Sequence, residues 1–165
     1  MSGLSLQNRF GLMSEAKEEA YQRCRVAVAA LSEGENDVIA RMASVVAVLH
    51  GEMPGFFWTG FYRVVGDGLV IGPYQGTVGC LRIAIGKGVC GTAAETGETQ
   101  VVRDVHDFPG HIACDPNSQS EIVVPVRNSA GELIAVLDID SDHLGWFDEC
   151  DRRNLEGIMA ETFAG

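Results

Sequence analysis

Apolar positions along the chain follow two regimes. Up to about residue 50 they recur every three or four residues; beyond it they come in short runs rich in β-branched and aromatic side chains. Residues 1–13 read as a loose N-terminal segment. Ser14 is placed to cap a helix reaching about Leu31, with Tyr21, Cys24, Val28 and Leu31 as its apolar stripe at spacings of three, four and three. Asn36 caps a second helix to about His50, and Gly51 stops it. Its stripe of Val38, Ile39, Met42, Val45, Val46 and Leu49 is the clearest helical pattern in the chain.

The second regime reads as strand. Phe56 to Val65, the turn Gly66-Asp67-Gly68 and Leu69 to Tyr74 form a hairpin. Leu81 to Ile85 is a short strand. Gly86-Lys87-Gly88 then leads into a short helix from Val89 to Glu95, ended by Gly97, and Thr99 to Arg103 is strand-like. Asp104 to Ser120 is a polar loop, and loops of that length usually serve a function or are disordered. Glu121 to Arg127 and Leu133 to Asp140 make a second hairpin across Asn128 to Gly131, in which Pro125 suits an edge or a bulge. Asp148 caps a last helix with the stripe Leu155, Ile158, Met159 and Thr162. The expectation is one α+β domain over residues 1–165, an antiparallel sheet of hairpins with helices packed on it.

Composition narrows the function. With 165 residues and 46% hydrophobic side chains, the chain can bury a core of its own. A net charge of −11 argues against nucleic acid, whose phosphates require a basic surface. The acid is concentrated at one end: residues 104–165 hold thirteen acids and three bases, against ten and nine in residues 1–103. Such an excess is either a solvated face or a site that receives a cation such as an amine. No apolar run is long enough to span a bilayer, and the N-terminus lacks a secretory h-region. The expected location is therefore the cytoplasm. Five cysteines are too few for a disulfide scaffold, and in a reducing compartment they are more often free, redox-active or metal-bound.

The cysteines differ in their settings. Cys24 on a helical stripe and Cys150 in a first helical turn read as small hydrophobes. Cys114 stands in a polar loop, three residues after His111, whose protonated ring would lower the thiol pKa while Asp115 would oppose it. Cys90 falls at a helix start, where free N–H groups favour a thiolate, or it packs beneath the sheet. Cys80 follows a glycine-rich turn. Cys80, Cys90, Cys114, His106 and His111 also offer metal-binding atoms, but only His111-x-x-Cys114 has the close spacing of structural zinc sites, which disfavours zinc.

The acids are more informative. Asp138 and Asp140 are two apart in a strand and share a face, with Ile134 and Val136 ahead of them. Glu121, at the start of the partner strand, falls opposite Asp140. Three converging carboxyls repel one another, which raises at least one pKa and keeps a proton at hand near neutral pH. The competing reading is a strand end emerging into solvent. Trp58 and Tyr62, four apart in a strand, also share a face, either as core aromatics or as a wall over a cationic or sulfur-containing ligand.

Five ordered motifs carry a resemblance: Gly86-Lys87-Gly88-Val89-Cys90-Gly91-Thr92-Ala93, Asp104-Val105-His106, Gly110-His111-Ile112-Ala113-Cys114-Asp115, Ser120-Glu121-Ile122-Val123 and Val136-Leu137-Asp138-Ile139-Asp140-Ser141. From about Trp58 to Phe147 the chain resembles the free methionine-(R)-sulfoxide reductases, enzymes made of a single GAF domain. The resemblance implies a central antiparallel sheet with helices packed on one side and a closed ligand pocket on the other. It implies reduction of free methionine-(R)-sulfoxide as substrate, thioredoxin as reductant and no cofactor, with monomer and homodimer both open. By position, Cys114 matches the nucleophile, and Cys80 and Cys90 the family's other two cysteines, one or both resolving thiols. Glu121, Asp138 and Asp140 match the pocket acids, and Trp58 and Tyr62 the aromatic wall. The turn Asn128 to Gly131 is a residue longer than in some relatives, which bears only on hairpin register. Between the resolving thiols, Cys80 is favoured, since a glycine-rich turn moves more readily than a helix. Two other functions stand beside this one: a GAF module that binds a small regulatory ligand without turnover, and a zinc-binding protein.

Overall fold

The computed structural model describes residues 6–165. Its frame is a six-stranded antiparallel sheet in the order β3-β2-β1-β6-β5-β4. The strands are β1 (Trp58–Val65), β2 (Gly68–Gln75), β3 (Arg82–Ala84), β4 (Gln100–Val102), β5 (Ser120–Arg127) and β6 (Leu133–Ser141). β1–β2 and β5–β6 are the two hairpins foreseen in the sequence, and they join where β1 pairs with β6. Pro125 lies past the last residue of β5 paired with β4, where β5 has become an edge and a missing N–H costs nothing.

Period-two alternation divides the core. One face of the sheet carries Phe61, Ile122, Val124, Leu137 and Ile139, packed beneath α1 (Leu6–Ser32), α2 (Val38–Glu52) and α4 (Glu149–Met159), which runs on into a π-helical turn, Ala160–Ala164. The other face carries Trp58, Tyr62, Val123 and Val136, packed with Val89 and Cys90 of α3 (Gly88–Thr96). This is the α+β architecture of the GAF fold, with a helical layer on one face and room for a ligand on the other.

α1 and α4 are clamped by a buried ion pair. The Lys17 ammonium donates to Asp151 at 2.6 Å, and the Tyr21 hydroxyl donates to the same carboxyl at 2.7 Å. The other end of this arrangement is the helix cap. Asp148 accepts from the Cys150 N–H at 2.9 Å, and Asp151 accepts from the Asp148 N–H at 2.8 Å, forming a capping box.

Five details depart from the sequence reading. α1 begins at Leu6 instead of after Ser14, so residues 6–13 are helical and not loose; residues 1–5 lie outside the described residues. Leu31 is exposed, while Tyr21, Cys24 and Val28 of the same stripe are buried. The cap of α2 is Asp37, not Asn36: Asp37 has the extended backbone a cap needs, and its carboxyl accepts from the Ala40 N–H at 2.9 Å. The helix also continues through Gly51 to Glu52. Ile134 is a bulge residue, because Arg127 pairs with Leu133 while Val126 pairs with Ala135. The extra residue breaks the alternation, and Ile134 packs on the helical side, away from Val136 and Asp138.

Candidate active site

The strand register brings the three acids together. Glu121 stands opposite Asp140 across β5–β6, and Val123 stands opposite Asp138. On the far side of β6, Trp58 faces Asp140 and Gly60 faces Asp138. Glu121 and Asp138 are buried, and Asp140 is half-buried at the cavity. A cavity opens on this face of the sheet, and the space within it together with its open mouth amounts to about 510 Å³. All three acids line it, together with Trp58, Tyr62, Cys90 and Cys114.

Trp58 and Tyr62 stack with ring centroids 5.9 Å apart. A third aromatic, Tyr74, stacks on Trp58 at 5.3 Å from the neighbouring strand. Gly60, between the first two, makes this possible: a Cβ there would lie 2.5 Å from the Trp58 ring and from Tyr74. The Trp58 indole N–H donates to the Thr77 carbonyl at 2.8 Å, so the glycine-rich turn lies against the aromatic wall. Gly76 in this turn has φ 122°, and a side chain there would also meet Trp58.

The turn carries Cys80, which is joined to Cys114 by a disulfide with Cα atoms 5.5 Å apart. A hydrogen bond from the Thr77 hydroxyl to Asp115, 2.5 Å long, ties the same two loops beside the disulfide. Cys24, Cys90 and Cys150 are free and buried. Cys24 packs in the helical-side core, and Cys150 contacts the Glu18 carboxylate at 3.4 Å.

Cys90 departs from one of its two expected readings. It is the third residue of α3, where exposed N–H groups would favour a thiolate. Burial is the larger effect, and it is reinforced by the adjacent Asp138 and Glu121. Together they push the thiol well above its ordinary range. Cys90 is held as a neutral thiol, with Sγ 4.0 Å from a Glu121 oxygen. His111 likewise supplies no cation. Burial, then His106, lowers its basicity, and its Nε2 lies 3.8 Å from Glu121.

The acids hold protons more tightly than exposed carboxyls. Burial, then repulsion from Asp138 and Asp140, pushes Glu121 well up. Burial and Asp138 do the same to Asp140, while the Ser118 hydroxyl works in the other direction. Asp138 is pushed up to about 6, mainly by burial, with the polar side chains of Glu121 and Cys90 beside it pulling the other way. The cluster thus carries shared protons near neutral pH, next to an aromatic wall and the disulfide-bonded pair Cys80–Cys114.

The sequence did not single out Ser118, Lys87, Ile112 or Tyr74, which also line or support the site. Lys87 and Ile112 stand within two of the five motifs and Ser118 in the long polar loop, whereas Tyr74 had no signal beyond its place in a strand. His106, offered beside these residues as a metal ligand, is exposed and bonds Asp104 instead.

A sheet with helices on one face and a ligand cavity on the other defines the GAF class, and a family model of the GAF domain matches residues 13–162. The chain belongs to that family. It is 45% identical to the free methionine-R-sulfoxide reductase of Escherichia coli, over 80% of this chain and 79% of that one. It is 48% identical to the GAF domain-containing protein A of Dictyostelium discoideum, over 87% and 90%. Among solved structures, the free methionine-R-sulfoxide reductase of Neisseria meningitidis in complex with its substrate superposes with a TM-score of 0.82. The two are 43% identical, over 87% of this chain and 86% of that one. The resemblance carried by the five motifs therefore extends over most of the chain.

Proposed function

We propose that this protein reduces free L-methionine-(R)-S-oxide to methionine. The observation that carries the reading is one cavity lined by a cysteine of a disulfide pair, three proton-holding carboxyls and stacked aromatics. Similarity to relatives named for this activity supports it.

The chemistry uses each group. A sulfoxide sulfur is electrophilic only when its oxygen is protonated or hydrogen-bonded, and the Glu121–Asp140 pair supplies that proton. The Cys114 thiolate attacks the sulfur of the protonated sulfoxide, and the hydroxyl passes from the substrate sulfur to Sγ of Cys114: the substrate S–O bond breaks, an S–O bond to Cys114 forms, and methionine leaves with Cys114 as a sulfenic acid. Sulfur of the substrate is reduced by two electrons and Cys114 is oxidised by two. The Cys80 thiol then condenses with the sulfenic acid, releasing water and forming the Cys80–Cys114 disulfide. A dithiol reductant of the thioredoxin kind reopens it by exchange and leaves oxidised.

The remaining carboxylate charge holds the substrate ammonium, and the Trp58–Tyr62 wall packs on its methylthio end. A cavity of this kind receives a free amino acid and not a residue within a chain. Cys90, neutral and buried, takes no part in the first attack. The test is turnover of the separated sulfoxide epimers with dithiothreitol, reading methionine release. Conversion of the R epimer alone is expected. Binding of either epimer without conversion would favour a GAF ligand sensor instead.

A further inference from the structure

Spacing along the chain disfavours a metal site, because its candidate ligands are not grouped in sequence. The fold groups a different set. Cys90 on α3, Glu121 on β5 and Asp138 on β6 each present one donor atom, and these atoms all lie within 4.8 Å of one another. Cys90 Sγ is already 4.0 Å from Glu121 Oε1.

Three features of this cluster call for a cation. First, Asp138 Oδ1 is fully buried and has no hydrogen-bond partner, although the residue is only 6% exposed. An orphaned buried carboxyl oxygen is costly unless something positive or protonated meets it. Second, the basic side chain of Lys87 at the cavity is solvent-exposed, so it does not neutralise the buried acids. Third, the donors sit on a helix and two central strands, a frame stiff enough to hold a coordination geometry. Zinc bonds of about 2.3 Å to sulfur and 2.0–2.2 Å to oxygen need donor atoms roughly 3.5 Å apart, so small rotamer shifts would close the site. His111 Nε2, 3.8 Å from Glu121 Oε2, is within reach as a fourth donor.

We propose that a thiophilic divalent cation of the zinc and cadmium type binds between Cys90, Glu121 and Asp138. The mix of thiolate, carboxylate and imidazole suits that class and not magnesium or calcium, which take oxygen ligands. Binding displaces the Cys90 thiol proton and the carboxyl protons to solvent, with no change in oxidation state. The cation occupies the place assigned above to the substrate ammonium, so it inhibits. That inhibition rests on the reductase reading; the binding does not.

The test uses the oxidised protein, in which Cys80 and Cys114 are joined and cannot bind metal. Cadmium is titrated in while the sulfur-to-cadmium charge-transfer band in the ultraviolet is followed. The expected result is a band that saturates at one equivalent, is displaced by zinc, and persists in Cys24→Ser and Cys150→Ser. It is lost in Cys90→Ser, and Asp138→Asn weakens cadmium at least about tenfold, in line with loss of a ligand. No band at stoichiometric cadmium, or an undiminished band in Cys90→Ser, overturns the site. A normal band in a protein that converts neither sulfoxide epimer would leave the metal site standing and remove the reductase reading. Zinc that inhibits wild-type turnover over the same concentration range in which it displaces cadmium ties the two together.

Discussion

Glu121 and Asp140 are directly opposed in the β5–β6 ladder, on the cavity face of the sheet. Two carboxyls in that relation cannot both ionise readily, and in the proposed mechanism the proton they retain is the one the sulfoxide oxygen needs. Asp140→Asn and Glu121→Gln are each expected to lower kcat/KM by about tenfold to a thousandfold, the usual effect of removing a positioned acid. Steady-state kinetics with the free R sulfoxide checks this. Near-normal values in both variants would return these acids to a solvated strand end.

Asp138 predicts a pH effect on stability. Its carboxyl rises from 3.8 in the unfolded chain to about 6 in the folded one. Between these values the folded state keeps a proton that the unfolded state has released, so this group's contribution to stability falls as pH rises from about 4 through 6. Asparagine cannot titrate. The stability difference between wild type and Asp138→Asn, from urea unfolding at pH 4 to 7, should therefore shift against the wild type as pH rises. A flat difference would show that folding leaves the Asp138 carboxyl unshifted, and one that moves the other way that folding lowers it; either contradicts the burial argument.

Lys17 and Asp151 predict a stability effect far from the cavity. Both are buried, and Lys17→Met leaves the Asp151 carboxylate with only the Tyr21 hydroxyl and a backbone N–H. Removing one member of a buried pair typically costs about 3–5 kcal/mol, against nearly nothing for an exposed one such as Arg23–Glu52. Denaturant unfolding of Lys17→Met and Arg23→Met side by side reads the contrast.

Much of the site was legible because strands impose a strict rule. Once Leu133 to Asp140 reads as a strand, period two puts Asp138 and Asp140 on one face, and hairpin pairing brings Glu121 opposite Asp140. The same rule pairs Trp58 with Tyr62. It misplaces Ile134, because a bulge inserts one residue and no residue type in that run announces it. The N-terminus of α1 was missed for a different reason: Leu6, Phe10 and Met13 are spaced by four and three, but Gly11 interrupts the run and Ser14 offers a good cap, which makes the helix read as starting later. The cap of α2 was off by one because Asn36 and Asp37 are both good caps, and only backbone conformation separates them. Cys90 shows a limit of local reasoning. Its helix position argues for a thiolate, but the burial and the two neighbouring acids that reverse this come from strands 31 or more residues away.

The Cys80–Cys114 disulfide separates attack from recycling. Cys80→Ser should still release about one methionine per enzyme molecule in a single turnover, because attack by Cys114 needs no partner. Turnover driven by thioredoxin should collapse, since the sulfenic acid has no thiol beside it to make the disulfide that thioredoxin opens. Rapid-quench methionine release and steady-state turnover on the same preparation check both halves. Full thioredoxin-driven turnover in this variant would transfer the resolving role to Cys90.

The central claim is that free methionine-(R)-sulfoxide is reduced by Cys114. The most direct test supplies each sulfoxide epimer, with dithiothreitol, to wild type and Cys114→Ser and measures methionine formed. Wild type should convert the R epimer only, and Cys114→Ser should form none above the buffer blank, since a serine hydroxyl has neither the nucleophilicity nor the redox chemistry of a thiolate. Sustained methionine production by Cys114→Ser, or none from the wild type with either epimer, would contradict the account.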